Sequence, residues 1–177
     1  MKPALLIASP QLKDPHFARA VVLLWHHDEE GAIGVVVNRP LDRTLPDVLE
    51  LPGDIDLSWY ADTHVTWGGP VEMGSGTVVT PQAVPDDEGW NVDGIGVSRS
   101  MDVLVSLLEA REPLLLCLGY AGWGPGQLDD ELQAGGWLWT DLDPKLVFET
   151  PHDQKYDRAL ATLGLTAAMV WMSPVSE

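Results

Sequence analysis

The chain has 177 residues, of which 45% are hydrophobic and 21% are charged, and its formal net charge is −17. Length and composition are typical of one globular domain over residues 1–177 and argue against disorder. With 10 Lys and Arg against 27 Asp and Glu, the chain should repel phosphates, so direct DNA binding is disfavoured. The acidity either keeps the protein soluble or attracts a basic partner.

The first half of the chain predicts mainly short strands. Residues 4–7, 20–25 and 32–37 are apolar runs, and the polar turn HHDEEG between the last two predicts a hairpin. Because these runs are continuously apolar, both faces of the sheet should be covered there. Thr44 is the predicted cap of a short helix in TLPDVLEL. Strands are predicted next in HVTW and GTVVT.

The second half of the chain predicts more helix. Ser100 should cap a helix whose apolar residues recur at helical spacing. Residues 114–118 read as a buried strand, and residues 127–133 as a helix. A strand in WLWT, an amphipathic helix in HDQKYDRALATLG and a last strand in TAAMVW complete the chain. We therefore predict an α+β fold in which helices pack on a mixed sheet.

The stretch GYAGWGPGQLDDEL (residues 119–132) follows a predicted strand and leads into a helix. Many proteins hold phosphates with this order of strand, glycine-rich turn and helix. Here the acidic residues DDE in the first turns of the helix would repel a phosphate, and the stretch contains no Lys or Arg. We favour a structural turn over which Trp123 packs. The alternative is a binding surface formed by Tyr120, Trp123 and Gln127.

Other residues that could carry chemistry form no recognisable set. The turn HHDEE contains metal-ligand types, but adjacent histidines at a strand end point to opposite faces. No Ser–His–Asp arrangement is evident. Arg39, at the end of VVVNRP, either forms a salt bridge, which we favour, or anchors an anionic ligand. We predict no metal and no cofactor.

The lone cysteine and the eight tryptophans bear on location and core. Cys117 lies in an apolar run, so it should be buried and cannot form an internal disulfide. No apolar run approaches the roughly 20 residues that cross a bilayer, and the N-terminal run is too short for a secretory signal. These features predict a cytoplasmic protein without membrane association. Most tryptophans are expected in the core.

Three motifs, taken in order, resemble the AlgH/YqgE family. LLIASPQLKDPHFARAVVLLWHHDEEGAIGVVVNRPL resembles its N-terminal signature, GGPV its central turn, and GYAGWGPGQLDDEL with the later WL and VF its C-terminal signature. The resemblance implies a coiled, partly barrel-like mixed sheet with flanking helices. The family is bacterial, and its name comes from a member linked to regulation of alginate production. Some members carry the label of transcriptional regulator.

The resemblance supplies marked positions and no established catalytic residues. Those positions fall here on Asp14, Phe17, Gly31, Asn38, Arg39, Pro40, Gly68, Gly69, Pro70, Gly122, Trp123, Gly126, Gln127, Leu128 and Glu131.

Two functions from different classes follow. The first is a non-enzymatic interaction or regulatory module, which acts indirectly on gene expression through a protein or small-molecule partner. The alternative is a small-ligand-binding protein or enzyme, with a site where the NRP, GGPV and GWGPGQL loops meet. Whether the chain is an enzyme stays open, and no catalytic residue is assigned. The predicted ligand-binding residues are Asn38, Arg39, Gly68, Gly69, Pro70, Trp123 and Gln127.

Overall fold

A computed structural model describes residues 2–12, 14–51 and 53–171. Among these residues, ten strands form one sheet: eight lie in the order β10-β1-β2-β3-β9-β6-β8-β7, β5 pairs with β9, and β4 pairs with β5. The strands are β1 (Ala4–Ala8), β2 (Val21–Asp28), β3 (Gly31–Val36), β4 (Pro40–Thr44), β5 (His64–Trp67), β6 (Val71–Thr80), β7 (Gly89–Val92), β8 (Ile95–Ser98), β9 (Leu115–Trp123) and β10 (Trp137–Thr140).

Within the described residues, six α-helices and two short 3-10 turns accompany the sheet. The helices are α1 (Leu45–Val48), α2 (Met101–Glu109), α3 (Gln127–Gln133), α4 (Pro144–Glu149), α5 (His152–Ala161) and α6 (Ala167–Trp171), and the 3-10 turns are Pro15–Phe17 and Ser58–Tyr60. Ser100 caps α2 as predicted, because its side chain accepts a hydrogen bond from the amide of Val103.

Both faces of the central strands are covered, as their apolar runs predict. Successive side chains of a strand point to opposite faces. Leu5 and Leu23 accordingly lie in one core cluster together with residues of α4 and α5, and Leu6 and Leu24 lie in a second cluster with Leu128 of α3. A third cluster forms where α2 packs on β6 and β9. The hairpin of β2 and β3 is confirmed.

The sheet is curled into a half-barrel. The rings of Trp25 on β2 and Trp90 on β7 lie 5.6 Å apart, although several strands separate β2 from β7 in the sheet. Val79 and Ile95, from the β6–β8 side, share a core cluster with Leu5 of β1. Among the described strand pairs only β5 and β9 run parallel. The α+β fold with a coiled, partly barrel-like sheet and flanking helices is therefore confirmed.

The first five residues of the glycine-rich stretch, 119–123, are strand, so the prediction of a turn from residue 119 is wrong. Strand β9 continues to Trp123 because β3 and β6 pair with it on either side, with Ala121 opposite Gly34 and Tyr120 opposite Val71. The chain turns only at residues 124–126.

Three further predictions need correction. Strand β2 continues through both histidines to Asp28, so the hairpin turn contains only Glu29 and Glu30. TAAMVW forms helix α6 where a strand was predicted, and Ala167, Val170 and Trp171 pack against the core. Of the tryptophans, only three of those described are buried in the core: Trp25, Trp123 and Trp137.

In the part of the chain that the structure describes, no helix has the length and apolar character needed to cross a membrane.

Candidate functional site

The three predicted loops meet at the middle of the sheet. The amide of Trp67, just before GGPV, donates a hydrogen bond to the carbonyl of Arg39 in NRP at 2.9 Å. The next residue, Gly68, donates from its amide to Leu118 O at 2.8 Å and accepts at its carbonyl from Val36 N at 2.8 Å. GGPV is therefore held at Gly68 between β3 and β9, and β9 continues into GWGPGQL at residue 122.

Gly68 and Gly69 allow this close approach of backbones. A Cβ atom at Gly68 would lie 2.3 Å from the carbonyl oxygen of Gly119. A Cβ atom at Gly69, whose φ is +154°, would lie 2.1 Å from the carbonyl carbon of Tyr120. Glycine is the residue that fits such contacts. Both glycines therefore shape the crossing of the chain and present no side chain to a ligand.

Asn38 fastens the start of β2 to the end of β3. Its Oδ1 accepts a hydrogen bond from the amide of Val21 at 2.9 Å, and its Nδ2 donates to the carbonyl of Arg19 at 3.0 Å. Both partners are backbone groups, so the amide positions the segment that precedes β2.

Arg39 holds the same segment from the other side. Its Nη1 and Nη2 donate hydrogen bonds to the carbonyls of His16 and Ala18, the second at 2.8 Å. Its guanidinium carbon lies 4.9 Å from the centre of the Trp67 ring, a cation–π distance. Burial lowers the pKa of the Arg39 guanidinium. The favoured salt bridge is not found among the described residues, whose ion pairs do not include Arg39.

A pocket of about 400 Å³ opens beside α3, and we call it the α3 pocket. Of the seven predicted ligand-binding residues, Pro70, Trp123 and Gln127 line it. Gly68, Gly69, Asn38 and Arg39 are not among its lining residues. The residues that line the α3 pocket are Gln11, Leu12, Asp14, Phe17, Pro70, Val71, Gly122, Trp123, Gln127, Asp130, Glu131, Ala134 and Gly136.

The walls of the α3 pocket are largely aromatic and aliphatic. Phe17 comes from the segment that Asn38 and Arg39 hold, and its ring centre lies 5.8 Å from that of Trp137. Trp123 lies 6.0 Å from the same ring in an edge-on arrangement. These rings belong to the core cluster beneath α3, so the apolar walls are fixed by packing.

Glu131 is the most heavily bonded polar side chain in the α3 pocket. Its Oε1 accepts hydrogen bonds from Nε1 of Trp137 at 2.9 Å and Nε1 of Trp123 at 3.2 Å. Its Oε2 accepts a hydrogen bond from Nε2 of Gln127 at 3.0 Å. Gln127 in turn accepts a hydrogen bond from the amide of Gly124 at 3.0 Å, which ties down the turn before α3. The carboxylate of Glu131 is thereby fixed in place.

Two further carboxylates lie at the α3 pocket. Asp14 caps the 3-10 turn by accepting from the amide of His16 at 3.0 Å, and the Nδ1 atom of His16 lies 2.9 Å from the same oxygen. Asp130 is exposed on α3. Among the described residues that line the α3 pocket there is no Lys, Arg or His.

The family-marked positions concentrate at the α3 pocket. Those that line it are Asp14, Phe17, Pro70, Gly122, Trp123, Gln127 and Glu131. Gln11 and Leu12, which lie inside the N-terminal motif, and Val71, which ends GGPV, also line it but are not marked positions. Ala134 and Gly136 line it from outside the motifs.

A buried polar cluster lies away from the α3 pocket. Lys155 is 1% exposed and donates from Nζ to the carbonyl of Val37 at 2.8 Å. Nδ1 of His152 lies 3.1 Å from the same Nζ. Burial lowers the pKa of Lys155 to about 8 and raises the pKa of the fully buried Cys117 to about 12. The predicted burial of Cys117 is confirmed, and its high pKa opposes thiolate chemistry.

The histidines in the first hairpin separate as predicted. His26 is exposed and pairs with Asp28, with Nε2 2.8 Å from Oδ2. His27 points into the protein, and its Nε2 lies 3.4 Å from Asp129 Oδ1. Within residues 2–12, 14–51 and 53–171 there is no group of three or more His, Cys, Asp or Glu side chains that could hold a metal ion.

Comparison with known proteins agrees with the motifs. The family model described as AlgH-like (DUF179) matches residues 5–168. The chain belongs to the AlgH-like family. Among family members, a UPF0301 protein from Rhodopseudomonas palustris is 40% identical over 94% of this chain and 82% of its own length. A UPF0301 protein from Ruegeria pomeroyi is also 40% identical, over 94% of this chain and 93% of its own.

Solved structures share the fold. The solution structure of the AlgH protein from Pseudomonas aeruginosa has a TM-score of 0.79 and 32% identity, and the match covers 99% of this chain and 95% of that one. A crystal structure of a protein from Corynebacterium diphtheriae has a TM-score of 0.73 at 22% identity, covering 98% and 91% of the two chains. The second match concerns the fold alone.

Proposed function

We propose that the chain, as one domain, is a non-enzymatic binding module whose α3 pocket receives a small organic ligand. The observation that carries this proposal is the meeting of family-marked side chains at one apolar pocket. Asp14 and Phe17 come from the first motif, Pro70 from the second, and Trp123 and Glu131 from the third.

The size and chemistry of the α3 pocket support a small ligand. Its volume of about 400 Å³ lies within the range of roughly 300–1,000 Å³ that is common for ligand sites. Such sites combine apolar walls with a few fixed polar groups. Here Phe17 and Trp123 supply apolar wall, while Glu131 and Gln127 supply polar groups that are already held by hydrogen bonds.

Binding is favoured over catalysis by the side chains at hand. Among the described residues that line the α3 pocket there is no Ser, Thr, Cys, Lys, His or Tyr, so hydroxyl, thiol, amine and imidazole nucleophiles are missing from it. Cys117 lies in the core cluster that contains Leu5 and Leu23, and Lys155 lies beside that cluster. Neither residue lines the α3 pocket.

Any effect of the module on gene expression is indirect in this proposal. A net charge of −17 opposes contact with duplex phosphates, so a response would pass through the bound ligand or a protein partner. We place the module in the cytoplasm, where a single reduced thiol such as Cys117 is stable.

The test uses a neutral aromatic probe and two matched substitutions. 2-Phenylethanol is titrated into ¹⁵N-labelled protein, and backbone and indole N–H shifts are followed. Ala134→Phe places a ring in the α3 pocket from the exposed C-cap of α3 (φ −75°, ψ −3°). Ala110→Phe is the control, because Ala110 is the exposed C-cap of α2 with nearly the same backbone angles (φ −82°, ψ −3°).

The expected result is a cluster of shifts at Gly122, Gly136 and the indole N–H groups of Trp123 and Trp137. These shifts should be lost in Ala134→Phe and kept in Ala110→Phe. Shifts that lie elsewhere, or that persist in Ala134→Phe, would refute the proposal.

A further inference from the structure

We propose that the α3 pocket is selective for an organic cation, namely a primary ammonium group on a small apolar body. This inference rests on the proposed function and adds the chemical class of the ligand.

The charged side chains among the described lining residues of the α3 pocket are all acidic. Asp14, Asp130 and Glu131 line it, and no Lys, Arg or His stands among its described lining residues. Oδ1 of Asp14 already accepts a hydrogen bond from the amide of His16 and lies 2.9 Å from its Nδ1. Asp130 and Glu131 therefore carry most of the uncompensated charge. An anionic ligand would be repelled, whereas a cation would be attracted.

Glu131 is a pre-positioned acceptor without a cationic partner among the described residues. Its hydrogen bonds come from two indole groups and one amide, all of them neutral donors. These donors fix the carboxylate but leave its negative charge in place. A carboxylate has about four lone-pair sites, and Oε2 uses one of its two on Gln127. The remaining site can accept an N–H from an ammonium group, and such charge-assisted hydrogen bonds are strong.

The aromatic walls suit the same ligand. Phe17 and Trp123 line the α3 pocket beside the carboxylates. The face of an aromatic ring attracts a nearby cation, and the ring also packs against an apolar body. Arg39, the basic side chain that stacks on the neighbouring Trp67, is committed to the carbonyls of His16 and Ala18 and does not enter the α3 pocket.

Three probes of one size test the selectivity. 2-Phenylethylammonium, 2-phenylethanol and phenylacetate differ at the polar end, where they are positive, neutral and negative at pH 7. Their dissociation constants are measured by NMR titration at low salt, because salt screens exposed charges. We expect the ammonium compound to bind at least about 10-fold more tightly than the alcohol, and phenylacetate to bind more weakly than the alcohol.

The outcomes separate this inference from the proposed function. If the alcohol binds in the α3 pocket and the ammonium compound binds no more tightly, the cation selectivity is refuted and the binding module stands. If no probe binds in the α3 pocket, both proposals are refuted. If blocked N-acetyl-lysine methylamide binds more tightly than 2-phenylethylammonium, the assignment to a small free amine is overturned in favour of a lysine side chain.

A positive charge introduced at Ala134, an exposed residue that lines the α3 pocket, tests the electrostatic part of the inference. Ala134→Lys should weaken binding of 2-phenylethylammonium by about 10-fold more than it weakens binding of 2-phenylethanol. Ala110→Lys, at the matched position on α2, should change neither. Asp130→Asn, which is exposed and keeps the shape of the side chain, should reduce only the preference for the ammonium compound. Equal losses for both probes in Ala134→Lys would indicate steric blockage and overturn the inference.

Discussion

Lys155 donates a hydrogen bond from Nζ to the carbonyl oxygen of Val37, 2.8 Å away. Burial lowers the pKa of Lys155 from 10.5 to about 8 in the folded chain. Between these values the unfolded chain binds more protons than the folded chain, so the free energy of unfolding increases with pH. From pH 8 to pH 9 the increase should be about 1 kcal/mol.

Urea unfolding at several pH values from about 8 to 9 measures this increase. Lys155→Met should abolish it, whereas Lys145→Met, at an exposed lysine, should keep it. Cys117 opposes the trend from about pH 8 upward, because burial raises its pKa from 9.0 to about 12 and the unfolded chain loses a proton that the folded chain retains. Parallel curves for wild type and Lys155→Met would contradict the assignment to Lys155.

Gly69 should tolerate no side chain. A Cβ atom there would lie 2.1 Å from the Tyr120 carbonyl carbon, and φ is +154°. We expect Gly69→Ala to lower the free energy of unfolding by about 2–4 kcal/mol, or to prevent folding. Gly74→Ala is the control, because nothing lies within 4 Å of a Cβ atom at Gly74. Similar stability of the two variants in urea would contradict the close approach of the Gly69 and Tyr120 backbones.

Arg39 should act by holding the segment that carries Phe17. Arg39→Lys loses the planar fork that bonds the His16 and Ala18 carbonyls and the stacking on Trp67. We expect faster hydrogen exchange at the amides of residues 17–20 and binding of 2-phenylethanol weakened several-fold. Arg43→Lys, at an exposed position on β4, should leave both unchanged. Unaltered exchange in Arg39→Lys would contradict this role.

Glu131 should stabilise the fold as well as the α3 pocket. Glu131→Leu leaves the indole N–H groups of Trp123 and Trp137 without their acceptor in a buried setting. The expected loss is about 2–4 kcal/mol in the free energy of unfolding, since each unsatisfied buried donor costs roughly 1–3 kcal/mol. Glu131→Gln, which retains one oxygen, should lose less. Glu149→Leu, at an exposed glutamate, serves as the control for the change of residue type, and an equal loss there would refute the argument.

Much of the fold follows from local patterns in the sequence. The continuous apolar runs that form β1, β2 and β3 predict strands covered on both faces, and the spacing of apolar residues in α2 predicts its helix. The half-barrel was implied by the resemblance and not by these patterns. The curl depends on contacts between distant strands, such as that of Trp25 with Trp90, which local periodicity does not contain.

Long-range pairing also explains the errors. Glycines in residues 119–123 suggest a turn, but Gly119 lies in β9 at the point where this strand passes Gly69. A Cβ atom added at Gly119 would lie 2.3 Å from the carbonyl oxygen of Gly69, so glycine is needed there. An Arg in so acidic a chain suggests a salt bridge, yet Arg39 donates its hydrogen bonds to backbone carbonyls. These carbonyls are distant in sequence, and only the fold brings them near Arg39. Of the candidate site, the predicted ligand-binding residues include Pro70, Trp123 and Gln127, whereas Ala134 and Gly136 lie outside the motifs and carry no local signal.

Intermolecular nuclear Overhauser effects between 2-phenylethanol and the wild-type protein show whether the α3 pocket is a ligand site. We predict contacts from the ring protons of the probe to Phe17 and to the indole of Trp123, with no such contacts in Ala134→Phe. Contacts that fall instead on exposed apolar side chains such as Met73 or Trp139, with none to Phe17 or Trp123, would contradict it.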